Sequence, residues 1–111
     1  MATISNLAID QGTTYEVTII VNDNSGTARD LSGYTARSQM RRSYYTNSNT
    51  EFTVTIDNPT GGEVDLSLTS TQTANLKAGR YVYDVELVNS NTTAVERIVE
   101  GIVTVYPEAT R

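Results

Sequence analysis

The chain has no cysteine, no histidine and no tryptophan, and its 111 residues include one phenylalanine and two prolines. Without cysteine there is no disulfide framework, so the fold is held by burial alone. Without cysteine or histidine a transition-metal site has no thiolate or imidazole ligand. The commonest general base and the usual thiol nucleophile are missing as well. Cationic charge is scarce: 8 Lys and Arg stand against 13 Asp and Glu, a net charge of -5. That is the wrong sign for neutralising phosphate, so nucleic acid is not an expected partner. No apolar run approaches the ~20 residues of a membrane-spanning helix. Met1-Ala2-Thr3-Ile4 has neither the basic leader nor the apolar stretch of a signal peptide. The expectation is a protein made in a cytoplasm, with no membrane partner and no cofactor.

What the chain does contain is strand-period alternation. Tyr15-Val17-Ile19-Val21, Phe52-Val54-Ile56, Val64-Leu66-Leu68 and Tyr81-Tyr83-Val85-Leu87 each place an apolar group at every second residue, the period of a half-buried strand. At this length the chain is one domain, residues 1–111, large enough to bury roughly two-thirds of its unfolded surface.

A first strand is predicted over about 3–10, with Leu7 and Ile9 inward, and a second over about 13–22. The second stops at Asn22-Asp23-Asn24-Ser25-Gly26, residues that bond their own backbone or tolerate positive φ. Residues 27–31 add a brief extended piece in which Leu31 anchors the next turn. A third strand covers about 34–42, with Tyr34, Ala36, Ser38 and Met40 inward. A fourth, about 51–57, meets a fifth, about 63–69, across the turn Asp57-Asn58-Pro59-Thr60-Gly61-Gly62. The period then changes. Thr69 or Ser70 can cap one helical turn near 70–76, closed by Ala74 and Leu76.

Strands over about 79–89 and 93–106 complete the set. The last has Val99, Val103 and Val105 on one side and Ile98, Ile102 and Tyr106 on the other, so both its faces look covered. Gly101 is read as the place of a bulge, and Pro107 ends the pairing. Seven short strands separated by turns read as an antiparallel, immunoglobulin-like β-sandwich. Tyr81, at the start of the penultimate strand, is the candidate tyrosine corner, and Tyr83 takes the inward position where antibody domains hold a cysteine.

The segments Gly26 to Ala36, with Asp30-Leu31-Ser32-Gly33-Tyr34 at its centre, Gly62 to Thr69, Leu76 to Leu87 and Val99 to Val105, with the ending Pro107-Glu108-Ala109-Thr110-Arg111, form a pattern. In it the chain resembles small immunoglobulin-like virion or tail-associated proteins of tailed bacteriophages and prophages. It is similar also to the N-terminal domain of phage baseplate upper proteins. The resemblance implies a non-enzymatic structural role in the tail, baseplate or neck of a virion. It also implies other virion proteins or further copies of the chain as partners, and no catalytic residues.

Docking through strand edges makes Ile98 and Ile102, with Tyr106 beyond them, the candidate partner contacts; the competing reading is core packing. A receptor- or glycan-binding module is the alternative function, and Tyr44 and Tyr45, beside the polar loop 46–50, are its candidate platform. The acid pairs Asp84/Glu86 and Glu96/Glu100 have the spacing of an outward polar face rather than of a catalytic dyad. Asn22-Asp23-Asn24 and Asp57-Asn58 fit turn chemistry better than a calcium loop. Arg37, Arg41 and Arg42 are read as a solvated or ion-paired surface.

Overall fold

The computed structural model describes residues 3–23 and 25–110. The leader reading at Met1-Ala2, the Asn24 position of the 22–26 turn, and Arg111 of the terminal segment fall outside the described residues. Among the described residues alternation becomes nine strands: β1 (Thr3–Ile4), β2 (Leu7–Asp10), β3 (Tyr15–Ile20), β4 (Tyr34–Arg41), β5 (Thr50–Glu51), β6 (Thr53–Asn58), β7 (Glu63–Leu68), β8 (Gly79–Asn89) and β9 (Val95–Tyr106). A 3-10 turn spans Pro59–Gly61, and the one α-helix among the described residues, α1, spans Ser70–Ala74.

The strands form two sheets, one ordered β1-β9-β8-β4-β5 with β2 also on β9, the other ordered β3-β7-β6. This is the all-β sandwich expected. Inward residues of both sheets, among them Ile9, Met40, Val64, Leu66, Tyr83, Val85, Leu87 and Val103, meet in one core. Leu31 plugs one end of it, its amide held by the Pro59 carbonyl at 2.8 Å.

Four details differ from the sequence reading. The first expected strand is two pieces, β1 and β2, and both run parallel to β9, so the sandwich is not wholly antiparallel. The expected strand at 51–57 is divided at the buried Phe52, where the chain leaves β5 in one sheet and enters β6 in the other. A strand whose side chains must fill the space between layers can change sheets at such a corner, and alternation alone does not mark where. The bulge of the last strand is at Ile98, not Gly101. Val85 pairs with Val99 while Glu86 pairs with Arg97, leaving Ile98 as the extra residue, and so Ile98 and Val99 are both buried.

The helical turn forms where expected, over Ser70–Ala74, and the fourth difference is its inward residue. Thr69 caps α1 through a reciprocal box: its hydroxyl accepts from the Gln72 amide at 3.2 Å, and the Gln72 side chain accepts from the Thr69 amide at 2.8 Å. Thr73, rather than Ala74, points inward beside Leu76. Its hydroxyl donates to the Thr13 carbonyl at 2.7 Å, which satisfies a polar group that would otherwise be costly to bury.

Candidate functional site: an open sheet edge

A sandwich of two open sheets has four edges, and each edge strand offers unpaired N–H and C=O groups. In the larger sheet they are β1–β2, broken at Ser5–Asn6, and the two-residue β5. In the smaller sheet β6 has a register irregularity between Thr55 and Asn58, with Asp57 inside it and Pro59 just beyond. Short strands, bulges, charge and proline all blunt an edge. The remaining edge, β3, is a continuous six-residue strand without lysine, arginine or proline, and its single charge is Glu16.

The hydrogen-bond phase of β3 follows from one contact. Val21 N–H donates to the Gly62 carbonyl at 2.8 Å, and β3 and β7 pair in continuous antiparallel register from Tyr15–Leu68 to Ile20–Glu63. Because bonded and non-bonded pairs alternate, Tyr15, Val17 and Ile19 bond to β7. Glu16, Thr18 and Ile20 turn their N–H and C=O groups to the open side.

The core beneath this edge is incompletely covered. Val64, Leu66 and Leu68 on β7 are 0%, 0% and 2% exposed, yet their ladder partners Ile19, Val17 and Tyr15 are only half-buried. A crevice of about 290 Å³ runs between β3 and β1, with Ile4, Val17, Ile19, Ile20, Ile98 and Val99 among its walls. Ile4 and Ile20 at its rim are 72% and 60% exposed. Sequence reasoning passed over both. The available signal was Ile20 itself, an apolar residue out of phase within Val17-Thr18-Ile19-Ile20-Val21.

The residues expected at the site are scattered. Ile98 is 6% exposed and belongs to the core, so it is corrected from partner contact to packing; its place in the bulge is the reason. Ile102 and Tyr106 are exposed on the outer face of β9, away from the β3 edge. Tyr44 and Tyr45 are exposed, Tyr45 at 96%. A depression of about 320 Å³ lined by Met40, Arg41, Ser48, Asn49 and Tyr81, among others, has neither ring in its wall.

The Tyr81 hydroxyl donates to the Lys77 carbonyl at 2.7 Å, the contact that defines a tyrosine corner. The Arg42 guanidinium stacks 4.8 Å above that ring. Arg37 pairs with Glu86 at 2.8 Å, and Arg41 donates to the Thr46 carbonyl and the Gln39 side chain, so the three arginines do not converge. The C-terminal segment docks on its own domain as far as Glu108. That amide donates to the Gln11 side chain at 3.2 Å, which in turn donates to the Leu76 carbonyl at 2.8 Å.

The four acids paired in the sequence reading, Asp84, Glu86, Glu96 and Glu100, are all engaged in ion pairs. Asp84 meets Arg97 at 3.2 Å, Glu100 meets the same arginine at 3.3 Å, and Glu96 meets Arg29 at 2.7 Å. Burial raises the Asp84 pKa against the opposing pull of Arg97. Asp57 has a carboxyl as its neighbour instead, and the adjacent Asp65 raises its pKa. Both line an open groove of about 440 Å³ on the outer face of the smaller sheet, together with Glu16, Thr18 and Thr55. Among the described residues no group of three acidic, histidine or cysteine side chains is arranged to hold a metal ion, and no helix is long and apolar enough to cross a membrane.

No protein-family model matches the chain, and no curated protein matches it. Among solved structures the fold is similar to the crystal structure of Listeria monocytogenes InlP, at 17% sequence identity and a TM-score of 0.50. The alignment covers 95% of this chain and 28% of that one, so this chain spans little more than a quarter of the matched protein's length. The class of protein defined here is thus a β-rich sandwich domain. The phage virion role expected from the sequence is corrected at this point: the matched structure is that of a Listeria monocytogenes protein and not of a phage virion component.

Proposed function

We propose that this chain is a non-catalytic protein-association domain that binds an extended polypeptide segment along β3. One observation carries the reading. β3 is the uninterrupted edge of its sheet, its outward N–H and C=O groups belong to Glu16, Thr18 and Ile20, and the core residues beneath it are half-covered. An added strand would satisfy the outward groups and cover Val17 and Ile19. Main-chain pairing then supplies affinity, and alternate side chains supply specificity.

The test is a selection from a library of short unstructured peptides, with binders mapped by backbone amide shifts. Binders are expected to perturb the amides of Glu16, Thr18 and Ile20, and to lose affinity when Ile20→Lys places a charge at the rim. Binders that leave these amides unmoved would overturn the reading.

A further inference from the structure

The β3 edge is complementary to itself. In an antiparallel pairing of two β3 strands, the hydrogen-bonded positions must come from Glu16, Thr18 and Ile20, because only these face outward. A twofold axis at Thr18 sets Thr18 opposite Thr18 of the second copy, and Glu16 opposite Ile20 in both directions. All three outward positions are then paired, with two bonds to each pair. On the core side the same register sets Val17 against Ile19, two of the three half-buried residues of this face. A register centred on Glu16 would bring two carboxylates face to face, where like charges directly opposite are destabilising. A register centred on Ile20 leaves Glu16 beyond the paired stretch and shortens the ladder.

We propose that the segment bound along β3 is β3 of a second copy of this chain, paired about a dyad at Thr18. The result is a continuous six-stranded sheet across two molecules, an isologous contact of the kind that closes a dimer. This rests on the reading of β3 as the docking edge and adds the identity of the occupant. The exposed Ile102 and Tyr106 on β9 lie outside the contact. Because one short strand buries less surface than a standard interface, the dimer belongs to the weak, concentration-dependent class.

The chain has no cysteine of its own, so a single introduced thiol reports on one position. Thr18→Cys is expected to form a covalent dimer under mild oxidation, and Ser48→Cys, in an exposed loop, to remain monomeric. Sedimentation of the unmodified chain should show a rise in mass with concentration. Ile20→Lys should abolish that rise. Thr18→Pro should do the same, since it removes an N–H that serves the open side rather than the ladder with β7. Circular dichroism confirms that each variant is folded, and Ile20→Lys keeps the test valid if the proline variant unfolds.

A strictly monomeric chain into the millimolar range, with the two cysteine variants oxidising alike, overturns the second-copy proposal. Library peptides that still shift the β3 amides in that case leave the docking edge standing. Peptides that do not shift them bring down both.

Discussion

The Tyr83 hydroxyl donates to the carbonyl of Ser5, 2.5 Å away and 78 positions upstream. Ser5 is where the N-terminal strand breaks between β1 and β2. Its carbonyl approaches Gly101 so closely that a Cβ there would lie 2.2 Å from it. Gly101 is also the register partner of Tyr83 on β9. The backbone crimp, the missing side chain and the buried phenol therefore explain one another. At the break the Asn6 side chain accepts from the Ile102 amide at 3.0 Å, replacing a ladder contact.

Tyr83→Phe should cost about 1–3 kcal/mol, the penalty of leaving a buried carbonyl without its donor. Gly101→Ala should cost more than the phenylalanine variant, because the obstruction is backbone and must move. Denaturant melts give the magnitudes. Hydrogen exchange should show faster opening confined to Ser5 and Ile102 in the alanine variant.

Burial pushes the Tyr83 pKa up to about 12, and burial raises Tyr15 as well. A phenol with a raised folded pKa stabilises the fold fully below its ordinary value near 10, and the contribution is lost as pH rises through the folded value. Stability of the natural chain should therefore decline across that alkaline window. Tyr83→Phe should show a shallower decline in pH-dependent melts.

Asp57 and Glu96 should respond to acid with opposite signs. The adjacent Asp65 carboxyl raises the Asp57 pKa, so its contribution is present in acid and lost as pH rises through the raised value. Asp57→Asn should accordingly raise the melting temperature at neutral pH, with the gain vanishing in acid. A loss of stability at neutral pH would contradict the like-charge contact between Asp57 and Asp65.

The hydrogen bond from Arg29 lowers the Glu96 pKa. Its contribution is present above the ordinary glutamate value and is lost as pH falls through the lowered one. Glu96 is 53% exposed, so the effect is small and screened by salt. Arg29→Gln should flatten the acid limb of the stability profile at low ionic strength and have little effect at high salt.

Removing the Thr69 hydroxyl tests the cap of α1. Thr69→Ala should cost about 1 kcal/mol, and protection should fall at the amides of Gln72 and Thr73 in hydrogen exchange.

Much of the sandwich could be read from alternation because it rests on local rules. The run Val64-Leu66-Leu68, the turn at Pro59–Gly62 and the long strand from Gly79 to Asn89 all follow from side-chain period and turn chemistry. The corner at Tyr81 follows from its place at the start of β8. Ile98 was misread because one extra residue shifts the phase of everything before it. That bulge is visible only when Val85 and Glu86 are matched to Val99 and Arg97. The docking edge escaped for a related reason: Glu16, Thr18 and Ile20 look like any outward face of a strand until it is known that no strand among the described residues pairs beyond them.

From the sequence alone came the all-β class, the inward residues, the turns and the absence of disulfide or histidine chemistry, since each depends on residue type and short-range spacing. The tertiary structure alone decided that β1 and β2 lie parallel to β9 and that β3 keeps an open side. A backbone amide on either side of a strand is chemically identical whether or not a neighbour is present, so the sequence carries no mark of which edge is free. Only the packing of distant segments settles it.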